Sequence, residues 1–336
     1  MKRARDSLVE GMTRRVRSHA SAHVARSARS AWPALAVAGT CALAAWAAVE
    51  WKRLKRTPAL SEASANAGVT ARTTQAGPYR MFSRQALREG RGSRVPMVRM
   101  VPVVLVHGLV ISSRYMEPLA LALRDAIDGL DVHAPDLPGF GESPTRERAL
   151  TVPELADALR LWLAARGIDK AVFIGNSFGC QILAEFAARF PGCVDKLVLQ
   201  GPTVDRAARF LPVQMLRDWR NGRLERARSA AALGRIDYAK AGLLRAFATM
   251  RELVRDRIED KLSRVQAPTL VVVGSRDPVV PLAWAREVAE RLPHGELLVI
   301  EGGTHTLNYV YPHSMALAIR PFLLDGVDSD KGAARA

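Results

Sequence analysis

Two rhythms of apolar residues alternate along this chain. Val101 to Val106, Leu130 to Ala134, Ala171 to Ile174, Lys196 to Gln200, Thr269 to Val273 and Glu296 to Ile300 are short, largely unbroken apolar runs, as expected of strands buried on both faces. Between them apolar residues return at helical spacing. Met116, Leu119, Leu121 and Leu123 mark one helix, Val152, Leu155, Ala156, Leu159 and Leu163 a second, and Ile182, Leu183, Phe186, Ala187 and Phe190 a third. Thr151-Val-Pro-Glu154 adds a capping box with proline in the first turn. Helices are also expected from Pro281 to Leu292 and from about His313 to Leu324. Strands alternating regularly with helices predict an α/β fold, a mostly parallel sheet with helices on both faces. Tyr79 to Gln85 and Val95 to Arg99 read as edge strands. Residues 57–77 are polar, small and aperiodic and read as a linker, so the folded domain is expected over 78–325 with a charged tail at 326–336.

The alternation stops between residues 204 and 266, where only basic helical segments remain. This predicts an inserted helical cap. Leu211, Val213, Met215, Leu216 and Trp219 form one apolar face, and Leu243, Phe247, Met250 and Val254 another. Both are expected to be buried, against each other or over the carboxyl ends of the strands, with Trp219 and Phe247 as substrate-binding walls.

Formal net charge is +16, and its placement matters more than its size. Residues 1–56 carry 12 basic and 3 acidic side chains and residues 204–266 carry 15 and 8, whereas 57–203 carry 16 and 14 and 267–336 carry 6 and 8. The body is near neutral. With no zinc-finger spacing and no basic region leading into heptads, nucleic acid is not an expected partner. Cys41, Cys180 and Cys193 are too few for a disulfide framework and place the domain in a reducing compartment. No metal-ligand or cofactor motif is present in the sequence.

The leader admits several readings. Ala31 to Val49 is an uncharged stretch of 19 residues, about 28 Å long as a helix against a hydrocarbon core of roughly 30 Å. It is diluted by alanine, Pro33, Gly39 and Thr40, and arginines and lysines flank it on both sides. The expectation is a membrane anchor at 31–49 with the catalytic domain in the cytoplasm. The alternative is a soluble cytoplasmic protein whose leader is a targeting segment or reflects a misplaced start.

The chemistry centres on Gly175-Asn-Ser177-Phe-Gly179, which joins an apolar strand to a helix. A Gly-x-Ser-x-Gly in that context is a nucleophile elbow, with Ser177 on the strained corner between strand and helix. Serine needs a base, and the base needs an orienting group. Asp277, in Gly274-Ser-Arg-Asp277-Pro278, and His305, in Gly303-Thr-His305, each lie just past a strand end, where sites form in open parallel sheets. Asp205, after the preceding strand, is the alternative acid. Backbone N–H groups of Leu109, after His107-Gly108, and of Phe178 are the expected oxyanion donors.

His107-Gly108, Asp136-Leu-Pro-Gly-Phe-Gly-Glu-Ser143, the elbow, Gly274-Ser-Arg-Asp277 and Gly303-Thr-His305 occur in this order. In this the chain resembles the α/β-hydrolases, of the cap-bearing serine-esterase type. The resemblance implies Ser177, Asp277 and His305 as a catalytic triad, no cofactor, and a small apolar ester or acyl substrate. The Gly-Asn-Ser-Phe-Gly elbow is also similar to that of the meta-cleavage-product hydrolases, which implies carbon–carbon hydrolysis as an alternative. A non-catalytic binding module on the same fold is a third reading.

Overall fold

The computed structural model describes residues 40–41, 43–87, 102–145, 148–226 and 228–325. The chain divides into two compact units, Met1–Arg56 and Thr57–Ala336. In the first, helix α1 covers residues 43–55 and leaves Leu43, Trp46 and Val49 exposed. Among the described residues no helix is long and apolar enough to cross a membrane. Residues 31–39 and 42 of the candidate anchor lie outside them, as do the expected edge strand at Val95 to Arg99 and the tail from 326.

The second unit is built on an 8-stranded sheet in the order β1-β2-β4-β3-β5-β6-β7-β8. The strands are β1 Val69–Ala76, β2 Tyr79–Leu87, β3 Val103–Val106, β4 Asp131–Pro135, β5 Ala171–Asn176, β6 Val194–Gln200, β7 Thr269–Gly274 and β8 Gly295–Ile300. Pairing from β4 through β8 is parallel, while β1 on β2 and β2 on β4 are antiparallel. The sheet is therefore mostly parallel, as expected.

The start of the domain is corrected. β1 lies inside the stretch expected to be a linker, preceded by a short helix α2, Glu62–Asn66, and it pairs along its whole length with β2. Only Val69, Thr74 and Ala76 of β1 are buried. An outermost strand with one covered face can be polar at most positions, so Val69-Thr-Ala-Arg-Thr-Thr-Gln-Ala76 lacks the apolar signal of an interior strand.

Helices cover both faces. On one side α4 (Val152–Arg166), α5 (Phe178–Arg189) and α9 (Leu282–Arg291) enclose a core containing Leu155, Trp162, Phe173, Phe186 and Trp284. On the other, α3 (Ser113–Ala126), α10 (Leu307–Val310) and α11 (Pro312–Leu324) pack Met116, Leu119, Leu123, Leu307, Ile319 and Leu323 on Leu105, Ile174 and Val272. Alternate residues of β3 and β5 thus feed opposite cores, which is why those strands are apolar throughout. Glu154 closes the capping box at α4 by accepting the Thr151 N–H at 2.8 Å.

Where the cap is expected, between β6 and β7, lie α6 (Leu211–Glu225), α7 (Arg228–Ala241) and α8 (Leu243–Arg255). The burial expected of its apolar faces is only partly met. Met215, Leu216, Trp219, Leu243 and Phe247 are all more than half exposed, while Ala246, Thr249 and Leu253 are the buried positions of α8.

Candidate active site

Ser177 sits between β5 and α5 at φ 54°, ψ −115°, a region costly for a side-chain-bearing residue, on the order of 1–3 kcal/mol. Its N–H donates to Gln200 O at 2.9 Å, which pins the corner to β6. The flanking glycines are steric necessities. A Cβ on Gly175 would lie 2.8 Å from Leu183 Cδ1 and 2.9 Å from the Gly179 carbonyl carbon. One on Gly179 would lie 2.5 Å from Val106 O and 2.8 Å from His107 O. Cys180, one turn into α5, is fully buried with its thiol against the carbonyls of Gly175 and Gln200 at 3.3 Å. Burial pushes that thiol's pKa well up, so it stays protonated and unreactive.

Asp277 and His305 come together although 28 residues separate them. The pressed ends of β7 and β8 cause this, since a Cβ on Gly274 would lie 2.2 Å from Gly303 O. His305 Nδ1 is 2.8 Å from Asp277 Oδ2. The other carboxylate oxygen, Oδ1, accepts the N–H groups of Val279 and Val280 at 2.8 and 2.9 Å. The Asp277 side chain is thereby wholly removed from solvent and fully bonded. Burial alone would lower the His305 pKa, but the Asp277 carboxylate, helped by Asp218 and Glu225, outweighs it and holds the imidazole above its ordinary value. Asp205, the alternative acid, is engaged elsewhere. Its Oδ2 pairs with Arg217 of α6 at 3.1 Å and its Oδ1 accepts the Ala207 N–H at 2.9 Å.

Ser177 and His305 line one cavity of about 520 Å³, together with Leu109, Trp219, Met250 and Leu253. Phe178 opens α5, so its N–H belongs to the helix terminus rather than to the helical ladder. Leu109 follows a tight passage: a Cβ on Gly108 would lie 2.9 Å from Asn176 Oδ1, and Val110 takes φ 51°. His107 braces this loop. Its Nε2 accepts the Leu137 N–H at 3.1 Å, which leaves Nδ1 to donate to Gly108 O at 2.9 Å, and burial lowers its pKa. Of the two cap residues expected to touch substrate, Trp219 is in the cavity wall and Phe247 is not.

Several residues that hold His305 escaped sequence reasoning. Asn176 Nδ2 donates to Gln200 Oε1 at 2.6 Å, and Gln200 Nε2 donates to His305 O at 2.8 Å. From the cap, Asn221 Oδ1 accepts the His305 N–H at 3.0 Å and Glu225 Oε1 accepts the Thr306 N–H at 3.0 Å. Gly201, at φ 60°, leaves room for the ring, because a Cβ there would lie 2.9 Å from His305 Cε1. Only the spacing of Asn221 and Glu225 on one face of α6 could have pointed to them, and polar residues at that spacing ordinarily mean a solvated face.

Residues 101–257 match a family model described as the α/β hydrolase fold, and residues 249–334 match one described as TAP-like protein. The chain has the α/β-hydrolase fold, and relatives named as esterases and hydrolases support a hydrolytic enzyme. Among its relatives, esterase YbfF of Escherichia coli is 27% identical over 244 residues, covering 67% of this chain and 93% of the relative. A pimeloyl-[acyl-carrier protein] methyl ester esterase of Xanthomonas campestris is 27% identical over 248 residues, covering 66% and 94%. Among solved structures, a membrane phospholipase A described as a bacterial virulence factor superposes with a TM-score of 0.62 at 23% identity, covering 87% of this chain and 98% of that one. Likeness at that identity speaks for the fold.

Proposed function

We propose that the protein is a serine hydrolase of carboxylic esters or related acyl compounds. Ser177 Oγ attacks the carbonyl carbon while His305 Nε2 takes its proton. The tetrahedral oxyanion is held by the N–H groups of Leu109 and Phe178, and collapse expels the alcohol, protonated by His305. Water, activated by the same imidazole, then releases the acid. Asp277 keeps the His305 proton on Nδ1, so that Nε2 faces the nucleophile as a base.

The observation that carries this reading is the buried Asp277–His305 pair at 2.8 Å, whose histidine lines one cavity with the strained Ser177. An aspartate that served only its turn would need one oxygen for the Val279 and Val280 amides. The second oxygen, committed to an imidazole, is what the chemistry requires. The largely apolar wall, with Trp219, Met250 and Leu253, supports an apolar acyl or alcohol group. The relatives named as esterases support the ester over other acyl bonds. A fluorophosphonate probe should label wild-type protein at Ser177, and Ser177→Ala should abolish labelling and lower kcat on p-nitrophenyl butyrate by roughly 10³ to 10⁶ with an unchanged fold. Unreduced ester turnover in the variant would refute the assignment.

A further inference from the structure

Helix α6 has its amphipathicity turned inside out. A helix on the surface of a soluble protein ordinarily buries its apolar stripe and solvates its polar one. In α6 the buried residues are Gln214 and Asn221, 6% and 2% exposed. Gln214 donates to Ala208 O at 2.6 Å, Asn221 accepts from the His305 N–H, and Glu225, one turn further, accepts from Thr306. The outer stripe holds Met215, Leu216 and Trp219, 56%, 55% and 57% exposed, with Phe210 at the helix start 65% exposed. Met215 and Trp219 are exposed where α6 borders the cavity, and among the described residues no core lies over Leu216 or Phe210.

The charges beside the stripe select what does. Arg223, at the cavity rim, lies over the Trp219 ring at 5.1 Å, and Arg220, one turn beyond Leu216, is exposed. Neither has a carboxylate partner among the described residues. A short apolar stripe bordered by unpaired arginines is the pattern of a helix lying in the plane of an anionic membrane surface, its apolar side chains at acyl depth and its arginines at headgroup level. A second copy meeting the patch about a two-fold axis would set these arginines against each other. A protein lid is disfavoured for another reason: Met215 and Trp219 also line the catalytic cavity, so the patch runs into the cavity mouth, and a protein seated on it would close the entrance. A bilayer there would instead feed the cavity.

We propose that the outer face of α6 docks on an anionic lipid bilayer and that the cavity draws a lipid acyl ester from that surface. The substrate half of this rests on the ester-hydrolase reading above; the docking half does not.

The test uses the full chain with Cys41→Ser and Cys193→Ser and an environment-sensitive fluorophore attached through Leu216→Cys, a position outside the cavity wall. Phosphatidylglycerol vesicles should blue-shift the probe, phosphatidylcholine vesicles should not, and molar salt should reverse the shift. In parallel, Leu216→Glu should lower hydrolysis of an acyl ester lipid carried in phosphatidylglycerol vesicles roughly tenfold or more, with p-nitrophenyl acetate turnover unchanged. A silent probe on protein that nevertheless sediments with vesicles would assign binding to the leader and overturn the proposal. A shift that grows with protein concentration in the absence of vesicles would assign the patch to a second copy and overturn it equally. Failure of the wild type on every soluble ester would sink the ester reading while leaving the probe shift to decide docking.

Discussion

The atoms around Asp277 make the outcome of Asp277→Asn unusually constrained. The amide that replaces the carboxylate has one oxygen and one nitrogen to place. Two backbone donors, the N–H groups of Val279 and Val280, point at the Oδ1 position from 2.8 and 2.9 Å. The oxygen must stay there, because an NH2 group in that place would leave two buried donors facing a third. The nitrogen is therefore turned to His305 Nδ1, which must become the acceptor, and the ring proton moves to Nε2. A neutral imidazole protonated at Nε2 cannot take the Ser177 proton. The loss expected from a wrong tautomer is about 10⁴ in kcat, or about 5 kcal/mol of transition-state stabilisation. The fold should survive, since shape and hydrogen-bond count are preserved. The pH profile offers a second reading. In the wild type the alkaline rise of kcat/KM should have its midpoint above the ordinary histidine value, because carboxylate attraction exceeds the burial penalty. The variant loses the largest attraction and keeps the burial, so the residual activity should titrate at lower pH. The assay is kcat and kcat/KM for p-nitrophenyl butyrate from pH 5 to 9, beside thermal melts. Asp277→Asn within tenfold of wild type, or Asp205→Asn the more damaging of the two, would refute the reasoning.

Asn221→Ala strands the buried His305 N–H and should lower kcat roughly tenfold with a smaller change in KM; Asn221→Asp, which keeps an acceptor, should recover most of it, and equal loss in both would deny the cap this positioning role. Deleting residues 1–56 should leave a folded, active enzyme, whereas deletion through residue 77 removes β1 and should yield insoluble or loosely packed protein; circular dichroism and turnover of the two truncations decide, and a well-behaved longer deletion would make β1 dispensable. Burial and the neighbouring Asp136 push Asp237 up to about 7, so its cost to folding grows as pH rises from the unfolded value, about 4, to about 7. Asp237→Asn, still able to accept from Ser112 Oγ, should therefore raise Tm relative to wild type more at pH 8 than at pH 4, and a pH-independent difference would show that Asp237 is not held neutral.

The alternating sheet and helices, the elbow, and both loops that carry Asp277 and His305 were legible in the chain because each rests on local chemistry. Interior strands must be apolar on both faces, and Gly175 and Gly179 answer to close contacts that recur wherever a strand turns sharply into a helix. The residues 57–77, by contrast, look like a linker in sequence because an edge strand with one covered face needs few apolar positions. Only the assembled fold turns Val69–Ala76 of this stretch into β1. The same holds for Asp205 and Asp277: both follow strands, and only the fold places Arg217 beside one and the His305 ring beside the other, which supports Asp277 as the proposed acid. The cap shows the limit most clearly. Periodicity marked an apolar stripe along α6 and predicted its burial, but period says nothing about which side of a helix faces the protein. That was decided by Asn221 and Glu225 finding the backbone of the histidine loop, contacts between residues 84 and 81 positions apart, and such long-range partners exist only once the cap has closed over the sheet.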